Sequence, residues 1–323
     1  MWSGTSADAA DCCKRVWIGF ETVMIDGFIN IYKEQGFTSF DVVAKLRGIL
    51  KQKKIGHTGT LDPMAEGVLL VCLGSATKMC DLLTEKNKTY TCTMLLGKTS
   101  DTEDVTGVMT DVTDVYPDEQ TVRDAVMSFV GDYMQIPPMY SAIKVNGRKL
   151  YELAREGQVI EREPRPITIH SINIQSVELP RVTFDVSCSK GTYIRSLCRD
   201  IGEKLGCGAV MEKLVRTEVK GFTIEESLTL AEVEKARDDG TLMQHILTTD
   251  KLMPDIPELH IAEKGVKLLA NGNKLGADAF AENQVYRDTY VKVYDENGRF
   301  AALYEYSDEK RQYVPFKMFP VSN

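Results

Sequence analysis

The segment Gly56–Gly67, GHTGTLDPMAEG, constrains this chain more than any other stretch. Its glycines suit a backbone that turns sharply or approaches a ligand closely. Pro63 biases Asp62 away from the right-handed helical region, toward an extended or turn conformation. The run that follows, Val68–Leu73, reads as a fully buried strand, although a short apolar run alone does not separate strand from helix. The fold must therefore hold a glycine-rich loop with a carboxylate at the end of a core element. Loops of that kind carry a disproportionate share of catalytic groups. The plainer alternative is a helix cap, since aspartate is a good N-cap, proline suits the first helical position and Glu66 would lie in the first turn. A cap needs neither His57 nor Gly56 and Gly59, and Gly67 is unfavourable inside a young helix. Asp62 is the leading candidate for a catalytic group.

With 323 residues the chain is long for one core and comfortable for two domains. Its apolar share of 43% and charged share of 27% are those of an ordinary globular protein. No apolar run reaches membrane-spanning length, so no membrane association is expected. The eight cysteines are scattered without a Cys-x-x-Cys pair, and only four histidines accompany them, which argues against a zinc site. Cys72, Cys92 and Cys188 lie in apolar segments and read as small buried hydrophobes. A reducing cytoplasm fits this usage. The net charge of −8 opposes nucleic-acid binding in sum. Its distribution does not: Lys45–Lys54 holds five basic residues and no acidic one. Lys144, Arg148 and Lys149 cluster again, as do Lys190, Arg195 and Arg199. Each cluster is either a solvated face or a contact for a polyanion.

Along the chain, Gly27–Lys33 reads as a strand, and Thr38 opens a helix with Asp41 as its box-like partner. Ser75–Leu83 reads as a helix, Thr89–Gly97 as a strand, Lys98–Gly107 as an acidic surface loop and Glu119–Val130 as a helix. Asn146-Gly147 is a tight-turn signal. Strands are expected at 166–178 and 181–189, then a helix from Tyr193 to Leu205, stopped by Gly206. Pro254 and Pro257 mark a boundary. Beyond it a short helix at Ala262–Ala270 precedes three strand-like runs, at 285–294, 299–306 and 313–319. The fold class is α+β with a mixed, largely antiparallel sheet.

GHTGTLDPMAEGVL, together with LGSATK at 73–78 and KTY at 88–90, resembles the catalytic segment of the TruB-type tRNA pseudouridine synthases. IPPMYSAIKVNGRKLYELAREG from Ile136 to Gly157 and CSKGTYIRSLCRDIGEKLGCGA from Cys188 to Ala209 extend the resemblance. It runs from about Ile25 to about Leu252, with a weaker continuation to the end. The resemblance implies a pseudouridine synthase catalytic domain at 25–252 and a small PUA-like β-barrel for RNA binding at 256–323. Residues 1–24 fit neither, and read as a disordered extension or a misassigned start. The implied reaction isomerises the T-loop uridine (position 55 of tRNA) to pseudouridine without cofactor or metal.

On the matched positions, Asp62 is the catalytic carboxylate and Arg195 its charged partner. Tyr90 stacks on the target base, Tyr193 is a second pocket aromatic and Leu214 an apolar wall. His57 inserts into the RNA loop, while Lys33 and Lys78 lie near phosphates and the catalytic loop. The family's usual Lys-Pro-x-Gly is here Lys33-Glu34-Gln35-Gly36, which removes a rigid turn. The implied partner is the tRNA T-arm, with a monomer needing no protein partner as the default. Three other readings stand beside this one, of which an unrelated carboxylate hydrolase lacks a convincing second catalytic acid near the first. A tRNA-binding folding factor would keep the basic surfaces without depending on catalysis. A guide-RNA-dependent, dyskerin-like enzyme would be expected to carry long basic tails, which are absent here.

Overall fold

The computed structural model describes residues 24–84 and 87–319, so the expectation for the leading extension falls outside the described residues but for Met24. The larger sheet holds β1 (Gly27–Lys33), β2 (Ile55–His57), β3 (Glu66–Leu73), β4 (Lys88–Leu96), β5 (Gly131–Gln135), β6 (Arg165–Glu178), β7 (Arg181–Cys188), β8 (Ala209–Val219) and β9 (Phe222–Thr223). Their order is β1-β3-β8-β4-β7-β6-β5, with β2 paired on β3 and β9 on β8. Pairing is antiparallel throughout except between β3 and β8, where Val215 meets Glu66 and Arg216 meets Gly67. This is the mixed, largely antiparallel sheet of an α+β fold.

Strand β3 is apolar at nearly every position because both its faces are covered. Side chains alternate along a strand. Leu69, Val71 and Leu73 therefore pack with α1 (Ser39–Leu50), while Leu70 and Cys72 face the opposite layer with Phe28, Ala76 and Met79. A capping box between Thr38 and Asp41 opens α1 as its spacing requires. Across the sheet, α2 (Glu119–Met127) and α3 (Ile194–Leu205) cover β4, β7 and β8. Ile194, Leu197, Cys198 and Ile201 form the buried stripe of α3 at helical spacing, and Gly206 ends it in the left-handed region at φ 71°.

A second sheet of four strands runs β10 (Glu258–His260), β11 (Tyr290–Tyr294), β12 (Phe300–Ser307) and β13 (Gln312–Met318) in that order. The strand β10 runs parallel to β11 and the other pairs are antiparallel. The sheet is open, since β10 and β13 do not pair with each other, and the expected closed barrel is not formed. Leu303 and Phe319 from this part enter one apolar cluster with Phe28, Leu70 and Leu252.

Two segments differ from the sequence reading, and a third, β8, had no reading there. Gly74–Met79 is a 3-10 turn before a short helix, Cys80–Thr84, because the chain must swing out of β3 first. Lys98–Gly107 is not a surface loop throughout: Lys98–Ser100 pairs with Met109–Asp111, and Glu103 and Asp104 are buried against arginines. β8 lies in the middle of the sheet. Its Glu212, Lys213, Arg216 and Glu218 disguise the strand as a polar segment.

Candidate active site

Asp62 caps no helix. It sits in an extended turn between β2 and β3, and the loop is held on both flanks. On the α1 side, Leu61 N donates to Ser39 Oγ at 2.8 Å, and Gly36 N donates to Pro63 O at 2.8 Å. Lys33 is fully buried beneath and donates to Phe37 O at 2.7 Å and Pro63 O at 3.4 Å. Burial lowers its pKa to about 8, and neighbouring Arg216 adds to that, so Lys33 remains protonated at neutral pH.

On the β8 side the anchor is Arg216, a residue the sequence reading passed over. It is fully buried and donates to Val68 O at 2.7 Å, Gly59 O at 3.2 Å and Thr60 O at 3.5 Å. It also bonds the phenol of Tyr90, which faces it across the β4–β8 ladder. Gly67 is forced by this packing, because its φ is +106° and a β-carbon would lie 2.2 Å from Arg216 O. The loop thus rests on two buried cations that hold its carbonyls, which leaves Asp62 to face outward.

Arg195, at the start of α3, reaches Asp62 from across the cleft, with Nε 2.9 Å from Oδ2. Its other nitrogens donate to Thr102 O and Tyr140 O, each at 3.0 Å. Asp104 Oδ2 lies 3.8 Å from the same Nε, and Thr102 and Thr106 orient Asp104 through its other oxygen. The guanidinium is buried, whereas 38% of the Asp62 side chain remains exposed. The planar fork of arginine suits this arrangement: one edge fixes a carboxylate while the other fastens two backbone strands.

The cleft has a volume of about 1130 Å³, somewhat above the usual range for small-ligand sites, and Asp62, Tyr90, Tyr193, Arg195 and Leu214 all line it. Tyr90 and Leu214 are buried in one apolar cluster with Leu61 and form its floor. Burial pushes the Tyr90 phenol up to about 12, so it keeps its proton at neutral pH. Gln135 fixes the backbone of Tyr193 from both sides, at 2.9 and 3.1 Å. Lys88, also unforeseen, lines the cleft with a pKa lowered to about 8 by burial. The hairpin at Asn146-Gly147, with φ of 50° and 83°, lies in the segment from which Tyr140, Tyr151 and Arg155 line the cleft.

Two of the expected residues lie elsewhere. His57 faces a neighbouring concavity of about 490 Å³, together with Arg47, Lys53 and Lys54. Burial lowers its pKa, and its Nδ1 accepts from Gly59 N at 3.3 Å. Lys78 is at the junction with the second sheet, where Nζ donates to Met318 O at 2.6 Å and partial burial, with Lys54 and Lys317 nearby, lowers its pKa. Among the described residues, no three His, Cys, Asp or Glu side chains converge as metal ligands would, and no helix is long and apolar enough to cross a membrane.

Residues 47–194 match the model of the TruB family pseudouridylate synthase N-terminal domain. Residues 195–253 match that of the tRNA pseudouridylate synthase B C-terminal domain. The chain is 53% identical over 307 residues to the tRNA pseudouridine synthase B of Lachnoclostridium phytofermentans, covering 91% of this chain and 100% of that protein. It is 45% identical over 279 residues to the protein of the same name from Clostridium kluyveri, covering 86% and 95%. Among solved structures it resembles a chain of an H/ACA ribonucleoprotein bound to a substrate RNA containing 2′-deoxyuridine. The identity there is 25%, the TM-score 0.67 and the coverage 91% of this chain and 85% of that one.

Proposed function

The chain belongs to the TruB family of pseudouridylate synthases, and from that membership we propose how it isomerises a tRNA uridine to pseudouridine. The target is the T-loop uridine, turned out of its stack into the cleft. Pseudouridine formation breaks the bond between N1 of uracil and C1′ of ribose and joins C5 to C1′. The C5 hydrogen leaves as a proton and N1 gains one, so atoms and electrons balance without oxidant or hydride donor. The observation that carries the reading is the 2.9 Å pair of Arg195 and Asp62 at the edge of a cleft floored by Tyr90 and Leu214.

In this reading Asp62 acts at the glycosidic bond. Arg195 fixes the carboxylate in direction and faces it with a positive charge beside an apolar floor. Tyr90 gives the base a face to stack on, and Leu214 and Tyr193 close the walls. Lys33 and Arg216 hold the loop, which keeps Asp62 at a fixed height above the base. His57 and its neighbouring cations meet the RNA outside the cleft, and Lys78 lies where the two sheets would share it. Residues 25–252 act as the catalytic domain and 256–323, in PUA-like fashion, as an RNA-binding one. The enzyme works in the cytoplasm as a monomer, without cofactor or protein partner.

The test is incubation with an unmodified T-arm stem-loop transcript, mapping pseudouridine, with Asp62→Asn alongside. Wild type converts the T-loop uridine. Asp62→Asn binds within about tenfold of wild type, because phosphate contacts dominate affinity, but converts nothing. Tight binding by wild type without conversion would favour a folding factor instead. Near-normal turnover by Asp62→Asn would remove Asp62 from the chemistry.

A further inference from the structure

The turn leaving β3 brings two thiols together, and neither lines the catalytic cleft. Cys72 is fully buried in the apolar layer with Phe28, Leu70 and Met79. Cys80, at the start of the short helix, is only partly buried and lines the concavity that His57 faces. A β-carbon on Gly56 would lie 3.2 Å from its sulfur, so the glycine leaves room for it. Cys80 Sγ is 3.0 Å from Cys72 Sγ. The intervening turn is pinned: Ser75 N donates to Asp26, and Thr77 Oγ1 donates to Gly74 O at 2.7 Å.

We propose that Cys72 and Cys80 are an oxidation site, a dithiol that peroxide converts to an intrachain disulfide. A disulfide needs its sulfurs about 2.05 Å apart, so the pair must close by about 1 Å, within reach of side-chain rotation. The two thiols have distinct parts. Cys80 is the one a solute can reach, and its contact with Cys72, aided by Lys317, holds its pKa below the usual thiol value; the same contact, with burial, raises that of Cys72. The Cys80 thiolate attacks one oxygen of the peroxide, whose O–O bond breaks, giving a sulfenic acid and hydroxide that takes up a proton as water. The Cys72 thiol then attacks the Cys80 sulfur, expelling the sulfenic oxygen as a second water. Two electrons pass from the two sulfurs to the peroxide, and a thiol reductant reverses the bond.

Trypsin makes the test direct, because Lys78 separates the two cysteines. The native full-length protein is exposed to hydrogen peroxide, its remaining thiols are alkylated, and its peptides are analysed by mass spectrometry. The expected product is peptide 55–78 joined to peptide 79–86, formed before buried Cys188 or Cys207 reacts and absent after dithiothreitol. Denaturing the protein first should abolish this preference. In Cys72→Ser, Cys80 should instead accumulate as a sulfenic acid trapped by dimedone. In Cys80→Ser, Cys72 should remain reduced. The proposal fails if native wild type yields no joined peptide, or if the joined peptide forms as fast in denaturant. It fails equally if Cys80 goes to sulfinic acid at the same rate with and without Cys72.

Discussion

Arg195→Lys keeps the positive charge opposite Asp62 and removes only the fork. The guanidinium meets Asp62 at 2.9 Å and the carbonyls of Thr102 and Tyr140 at 3.0 Å each, in three directions. A lysine ammonium that keeps one carbonyl contact loses two, the bond to Asp62 and the tie to the other carbonyl. Hydrogen bonds to charged groups contribute about 1.5–3 kcal/mol each, which makes the total loss roughly 3–6 kcal/mol. The part carried by Thr102 and Tyr140 falls on stability, as the two segments they belong to lose a common tie. The part carried by Asp62 falls on the reaction. At 1.36 kcal/mol per factor of ten it lowers kcat by roughly 10- to 150-fold, nearer the lower end because the carboxylate is partly exposed to water. The C5 hydrogen is released on each turnover, so a transcript labelled with tritium at uridine C5 reports kcat directly. Thermal unfolding of the same sample reports stability. KM should change little, since the cations proposed to meet the RNA, around His57, lie outside the cleft. A variant with kcat within threefold of wild type and a lowered unfolding midpoint would refute the reasoning, and leave Arg195 a structural clasp.

Three more expectations follow from the packing around the loop. Lys33 has its pKa lowered by burial from 10.5 to about 8, so across that window the unfolded chain binds more protons than the folded one. The stability of wild type relative to Lys33→Met should therefore be flat below about pH 8 and rise from there toward 10.5; denaturant midpoints over pH 7 to 10 check the sign, and a fall with pH would contradict it. Gly67→Ala sets a β-carbon 2.2 Å from Arg216 O at a φ of +106°, so it should cost more than about 3 kcal/mol or leave the protein insoluble. An unfolding midpoint equal to wild type would show that the β3–β8 contact opens freely. Tyr90→Phe keeps the ring and removes the hydroxyl that Arg216 bonds, so turnover should fall less than about tenfold, whereas Tyr90→Leu, which loses the stacking face, should fall much further. Equal losses in the two variants would give the hydroxyl, not the ring, the main part.

The elements that could be read from the sequence were those in which local preference and tertiary context agree. Thr38 with Asp41, Gly206 and the Asn146-Gly147 turn each act within a few residues, and each marks its element's end where expected. β8 was not legible. Flanked by partners on both edges, it is a strand by pairing, while Lys213 and Glu212 keep their charges at the surface and Arg216 is paired with backbone oxygens inside. Charged residues in a short window read as solvent, and nothing local tells a buried arginine from an exposed one. The same holds for Glu103 and Asp104, whose partners Arg199 and Arg195 lie on α3, nearly a hundred positions away.

The parts of the site followed the same division. Asp62 was visible because the backbone constraints around it are local: glycines, a proline and an apolar strand in sequence. Its supports were not, because each acts from another strand. Lys33 carries the pattern of a surface lysine and is fully buried, held there by three carbonyl oxygens. Burying two cations beneath one loop is costly, and it is tolerated because each donates to three carbonyl oxygens. That makes the loop rigid where the chemistry needs it. It also puts positive potential under a site that must receive a polyanion, so the layer that shapes Asp62 favours the substrate as well. An acidic chain can therefore serve as an RNA enzyme: the sum of its charges is negative, but Lys33 and Arg216 beneath the loop and Arg195 facing Asp62 are positive.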